Sequence, residues 1–284
     1  MISMRPSVAA DVPRQRELWK LAFGDSGDYV DNFYHNYYRP DRVVVLEEDG
    51  LVQAMTAWFD TTFVLPDGQR HKVGYLYAVA THPDVRGRGF AGMLLKYADD
   101  YLKNEHGCVG VTTVPAQPSL HKFFGRHAFR ECFIHNQQTV AATKAKELPD
   151  FELEPLTPEE YGRLRERLLA GTAHIAFPQD GLEYQAGCSR ISGGGFYAAR
   201  TGEATVILCA EGLGNGELML KEALGEAAAR EKVLCGLHRL LPGFKGVYRC
   251  PGAGTAFGML KWLCPELEQS WDWNNTAYMG FGFD

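Results

Sequence analysis

The run Arg86-Gly87-Arg88-Gly89-Phe90-Ala91-Gly92 limits this chain more than any other. It lies between a β-rich stretch, Gly74 to Thr81, and a stretch in which Phe90, Leu94, Tyr97, Ala98, Tyr101 and Leu102 repeat at the interval of one helix face. Glycines let the main chain come close to a ligand and adopt dihedrals that other residues avoid. A helix that starts there presents unpaired N–H groups and the positive end of its dipole. The dipole alone contributes about 0.3–1 kcal/mol, or about 2 kcal/mol when partly buried, so a pyrophosphate needs several amides as well as the charge of Arg86 and Arg88. The loop therefore predicts a phosphate-bearing ligand at a strand-to-helix turn.

Gly87 to Gly92 also satisfies the dinucleotide pattern G-x-G-x-x-G. That fold would place a carboxylate about 20 positions on, at the end of the next strand. The matching stretch, Gly110 to Val114 within the β-rich run Cys108 to Val114, has none. The strand before the loop also closes an antiparallel meander of at least three strands. Val43 to Leu46 turns through Glu47-Glu48-Asp49-Gly50 into Leu51 to Phe59, and Thr61 to Leu65 turns at Pro66-Asp67-Gly68 into Lys72 to Thr81. A nucleotide-dependent oxidoreductase is thus a distant reading. Upstream, Ile2 to Val8 reads as a strand and Asp11-Val12-Pro13 as the start of a helix reaching Phe23. Tyr29, Phe33, Tyr34, Tyr37 and Tyr38 recur at roughly helical spacing, either packed on the core or forming one wall of a substrate pocket.

The run from Val79 through His82-Pro83-Asp84-Val85 to Ala91 resembles the acetyl-CoA motif of the GCN5-related N-acetyltransferases, the GNAT superfamily, written R/Q-x-x-G-x-G/A. Arg86, Gly89 and Ala91 stand at its fixed positions. The resemblance covers roughly residues 1–145, since Ser119 to Phe129 is similar to the family's second cofactor segment. It implies a mixed α/β (α+β) GNAT fold with a largely antiparallel central sheet and acetyl-CoA as co-substrate. Main-chain groups of Val79, Ala80 and Thr81 would meet the pantetheine arm. The amides of Gly87, Arg88, Gly89, Phe90, Ala91 and Gly92 would hold the pyrophosphate, and Ser119 would lie near the far side of the cofactor.

At 284 residues the chain is long enough for two domains. We expect a first domain over 1–145, a linker around Lys144 to Asp150, and a second domain over 150–284. Pro158 to Leu169 reads as a helix, Phe196 to Arg200, Ala204 to Ala210 and Glu217 to Leu224 as strands, and an Ala-rich helix follows, ending near Gly243. Val247 to Cys250, a helix over Phe257 to Leu263 and the strand-like Thr276 to Phe283 complete it. This order repeats the first half coarsely, but Gly225-Glu226-Ala227-Ala228 puts a carboxylate where the phosphate loop would be. The second half therefore reads as a degenerate GNAT-like copy that repels phosphate, in a layout that resembles the tandem Eis-like acetyltransferases.

Lys and Arg total 29 against 35 Asp and Glu, a net charge of −6, which argues against a nucleic-acid or anionic-membrane binder. No run of about 18 apolar residues reads as a membrane span, and Met1 to Phe23 has no apolar signal-peptide core. Seven cysteines without a Cys-x-x-Cys spacing suit reduced thiols in a cytoplasmic protein and suggest no metal site.

For catalysis, many relatives place a tyrosine general acid in the segment matching Phe123 to Phe129, and here that position is Phe124. A general acid or base contributes about 10²–10⁴ in rate. The thiol of CoA, with a pKa near about 8–9, leaves almost unaided. The amine is harder: with a pKa near about 10.4, under about one molecule in a thousand is neutral at pH 7. A base thus matters more than an acid, yet Tyr75 to Thr81 has no carboxylate where many relatives keep one. The candidates are His121, Tyr77 and Asp284, the last because Eis-like enzymes use a terminal carboxylate. The expected activity is acetyl transfer from acetyl-CoA to a primary amine held between the halves. The alternative, motivated by Phe124, is a non-catalytic acyl-CoA-binding module whose second half recognises a partner. The acceptor (a small drug-like amine, a polyamine or a protein N-terminus), the acyl preference and the oligomeric state stay open.

Overall fold

The computed structural model describes residues 1–141 and 151–283, so the linker reading at 144–150 and the candidate Asp284 lie outside the described residues. The first half runs β1 (Ile2–Pro6), α1 (Val12–Phe23), α2 (Gly27–Asn36), β2 (Val43–Glu48), β3 (Leu51–Val64), β4 (Arg70–Thr81), α3 (Phe90–Asn104), β5 (Gly110–Thr113), α4 (Pro118–Gly125) and β6 (Arg130–Thr139). The second runs β7 (Leu153–Pro155), α5 (Pro158–Leu168), β8 (His174–Ala176), α6 (Gln179–Ile191), β9 (Gly195–Thr201), β10 (Ala204–Gly212), β11 (Leu218–Leu224), α7 (Ala227–Leu237), β12 (Phe244–Trp262) and α8 (Pro265–Ser270). Among the described residues, no helix is long and apolar enough to cross a membrane.

Local chemistry sets the element ends. Gly24, left-handed at φ 73°, stops α1, and Ser26 caps α2 by accepting a hydrogen bond from the Tyr29 amide. Thr157 and Glu160 form a reciprocal capping box at the start of α5. The expected meander is present as β2-β3-β4, with β3 a single strand through Phe59 and Thr61.

All the strands join one sheet in the order β1-β2-β3-β4-β5-β12-β11-β10-β9-β7, with β6 added on β12 and β8 on β3. The sheet is mixed, because β4 and β5 are parallel across α3 while β11 and β12 are parallel across α7. Meander, helix and parallel strand thus occur twice, as β2-β3-β4-α3-β5 and β9-β10-β11-α7-β12. Three apolar clusters fill the layers. One lies between the sheet and α1, α2, α5 and α6, drawing Phe33, Phe59, Tyr75, Tyr161, Tyr184 and Ile207 from both halves. The others lie under α3 and under α7.

Two sequence readings are corrected. Phe257 to Leu263 is not a helix; Phe257 to Trp262 ends β12, paired with β5 on one side and β6 on the other. An interior strand is apolar on both faces, so alternation disappears and the run cannot be told from a helix by period. Thr276 to Phe283 is not a strand: it makes isolated bridges only, Ala277 to Phe133 and Tyr278 to His174, and Gly280 at φ +83° turns it out of the extended region. The seven cysteines are free.

Candidate functional site

The site begins with a defect in β4. Between the pairs Ala57↔Tyr77 and Met55↔Ala80, β4 has one residue more than β3, and Ala78 sits at φ 51°. This bulge turns the Tyr77 and Ala78 side chains toward the same cluster. Pairing with β5 stops at Leu76↔Thr113, so among the described residues no strand lies on the β5 side of β4 from Tyr77 to Thr81. The stretch Val79 to Thr81 thereby borders an opening between two parallel strands.

A single turn, Pro83–Val85, leads from there to the loop. Gly87 at φ 80° and Gly89 at φ 84° are both left-handed, and each would leave an added Cβ in open space, so the requirement for glycine is conformational. Gly89 is the N-cap of α3 and has no side-chain cap. Among the described residues, no acceptor bonds the amides of Gly87 to Gly92; the first helical bond is Met93 N–H to Gly89 O, 3.1 Å. The turn is a ring of unspent donors at a helix N-terminus, open to solvent at Gly87, Arg88 and Gly89 and backed by the buried Phe90 ring.

The arginines are arranged differently from each other. Arg86 Nε donates to Thr81 O, 3.2 Å, bracing the end of β4 against the loop. Arg88 makes two bonds to Glu48 at 2.8 and 2.6 Å and lies over the Phe90 ring, and this pairing holds the Glu48 carboxyl below its usual range. Gly92 serves packing: a Cβ there would come within 2.7 Å of the His127 ring. Ser119 is exposed in the first turn of α4, and Phe124 is buried against Phe129. Because Arg88 is already held by a carboxylate, Arg88→Gln is expected to weaken binding of a phosphate-bearing ligand at this turn by no more than about tenfold, far less than a change to the turn's amides, as read by titration calorimetry.

Tyr77 lies on the opposite face from α3, in an aromatic cluster with Trp19 (5.3 Å), Phe59 (5.4 Å) and Phe283 (5.9 Å) between ring centroids. Its hydroxyl is 2.9 Å from that of Tyr184 on α6. Burial pushes both hydroxyls well above the ordinary phenol range. Asn32 donates to Tyr184 O and Cys188 Sγ, tying α2 to α6, and burial lifts the Cys188 thiol to about 11. Tyr184 and Phe283 are the residues that the sequence did not disclose; they reach Tyr77 from the second half, with no local signal. His121 stands elsewhere, on α4, with Nδ1 2.7 Å from Glu131 Oε1 on β6.

The second copy of the turn is closed. At the N-terminus of α7, Glu226 Oε1 accepts from the Ala228 amide at 3.4 Å, so a carboxylate of the chain takes a donor left unused at α3.

Residues 3–128 match the family model described as Acetyltransferase (GNAT) domain. The chain carries a GNAT domain. No curated protein matches the sequence. Solved structures with the same fold include a conserved protein of Enterococcus faecalis V583, at 12% identity and TM-score 0.68, with 93% of this chain and 73% of that one covered. A GCN5-related N-acetyltransferase from Kribbella flavida is similar at 12% identity and TM-score 0.66, over 93% and 71% of the two chains. Eis1 from Mycobacterium abscessus is similar at 12% identity and TM-score 0.63, over 92% and 73%. At these identities the likeness is one of fold. It extends well past residue 128 into the second half.

Proposed function

We propose that this protein transfers an acetyl group from acetyl-CoA to a primary amine. The observation that carries this reading is the ring of unbonded amides from Gly87 to Gly92 beside the opening at Val79 to Thr81, which suits a ligand with a pyrophosphate at one end and an amide-bearing arm at the other. Donors fixed at a helix start meet phosphate without reorganising, and an unpaired strand edge offers main-chain groups to pantetheine as another strand would. Holding thioester and amine together makes the attack effectively intramolecular, which supplies much of the acceleration without a strong acid.

Proton removal from the ammonium is the remaining task. Burial keeps the Tyr77 hydroxyl protonated, which suits it to donate toward the leaving thiolate or the thioester carbonyl rather than to act as base. His121 is oriented by Glu131. Asp284 is one peptide bond beyond Phe283, whose ring stacks on Tyr75 at 5.7 Å. Removing Asp284 is expected to abolish turnover with acetyl-CoA affinity unchanged, whereas turnover equal to the intact protein would take Asp284 out of the mechanism.

The buried Phe124 favours a second reading, an acyl-CoA-binding module without turnover. Thiol release from acetyl-CoA, followed with small amines, polyamines and peptides with free N-termini, separates the two. Amine-dependent release supports transfer, and saturable binding without release from any of them supports the module.

A further inference from the structure

Among the described residues, the second half holds a fully buried ion pair that neither the glycine loop nor the aromatic cluster explains. Arg165 on α5 is 1% exposed and Glu222 on β11 is 0% exposed, with Nε 3.0 Å from Oε2. Tyr161 donates its hydroxyl to Glu222 at 2.6 Å. The rest of the guanidinium points away from the carboxylate, Nη1 to Ile175 O at 2.6 Å and Nη2 to Met279 O at 3.1 Å. Its plane lies near Phe177 and Phe281, 5.3 and 5.4 Å from the ring centroids. Gly280, left-handed at φ +83°, crosses directly over the pair, where a Cβ would overlap Glu222 Oε1 and come within 2.8 Å of Arg165 Nη2.

The segment so held is the one that enters the first half. Ala277 N–H bonds Cys132 O at 2.9 Å and Tyr278 N–H bonds Ala173 O at 2.8 Å. Beyond Gly280, Phe281 stacks on Phe177 at 4.7 Å, and Phe283 packs on Phe59, Tyr75, Tyr77 and Tyr184. A buried ion pair is a poor source of stability compared with apolar side chains of the same volume, but a planar fork that must satisfy two carbonyls from separate segments admits one register only.

We propose that the Arg165–Glu222 pair is a positioning device for the acyl-transfer site, fixing residues 277–283 so that Phe283 closes the aromatic wall around Tyr77. The second half then acts on the reaction without touching acyl-CoA. This rests on the acetyl-transfer reading.

Two variants test it. Arg165→Lys keeps the charge and loses the fork; Arg165→Met with Glu222→Leu removes both charges and leaves no buried unpaired ion. Hydrogen exchange reads the segment, and kcat with the best amine is read beside the acetyl-CoA Kd. We expect exchange protection at Ala277 and Tyr278 to fall about tenfold or more while β3 and β10 stay protected. We also expect kcat to fall about tenfold or more, with acetyl-CoA Kd within about twofold. Unchanged protection, or lost protection with unchanged kcat, overturns the proposal. So does joint loss of kcat and acetyl-CoA binding, which would make the pair a general stabiliser. Absence of turnover in the intact protein refutes the acetyl-transfer reading instead, and the exchange result still decides whether the pair fixes the segment.

Discussion

Gly89→Glu is expected to remove acetyl-CoA binding, with a loss of about 100-fold or more in affinity, while leaving the fold in place. Space is not the reason, since an added Cβ at Gly89 meets nothing within 4 Å. Two other effects act together. A non-glycine residue in the left-handed region costs roughly 1–2 kcal/mol, which lowers stability modestly and disfavours the turn that aims the amides. The new carboxylate then sits at the start of α3 among the donors meant for phosphate, and like charges brought together there cost several kcal/mol. The second half already contains the natural version of this change, with Glu226 bonded to the Ala228 amide at the start of α7. Calorimetric titration checks the affinity and thermal melting checks the fold. Wild-type affinity in a folded Gly89→Glu protein would move the phosphate site away from α3.

Glu222→Ala is expected to lower stability by about 3–5 kcal/mol, because it removes the carboxylate that bonds the buried Arg165 Nε and leaves only the more exposed Glu166, 3.6 Å from Nη1, as counter-charge. For a chain of this size about 2–4 °C accompanies each kcal/mol, so the melting temperature should fall by roughly 6–20 °C. Glu48→Ala is the matching control: it breaks an exposed pair with Arg88 and should leave the melting temperature nearly unchanged. Equal melting temperatures for Glu222→Ala and the intact protein would show that the pair is not buried as described.

The glycine turn was legible because its chemistry is local. Gly87 and Gly89 are required by their own dihedrals, and the helix after them advertises itself by the spacing from Phe90 to Leu102. The meander was legible for the same reason, through Asp67-Gly68 and Glu47 to Gly50. What escaped depends on distant partners. Arg88 reads as charge for a ligand, and only the fold brings it to Glu48. Tyr77 reads as one aromatic among several, and its contacts with Tyr184 and Phe283 join segments more than a hundred residues apart. Phe257 to Trp262 lost the alternation of a strand because β5 and β6 flank it on both sides. In Thr276 to Phe283 only Gly280 hinted that the segment bends over the buried pair rather than extending along the sheet.

The central claim, that the opening at Val79 to Thr81 and the amides of Gly87 to Gly92 form an acyl-CoA site, is tested most directly by calorimetric titration of the intact protein with acetyl-CoA, with NADH as comparator. The expected result is saturable one-site binding of acetyl-CoA and no heat of binding with NADH. No binding of acetyl-CoA, or binding of NADH in its place, would contradict it.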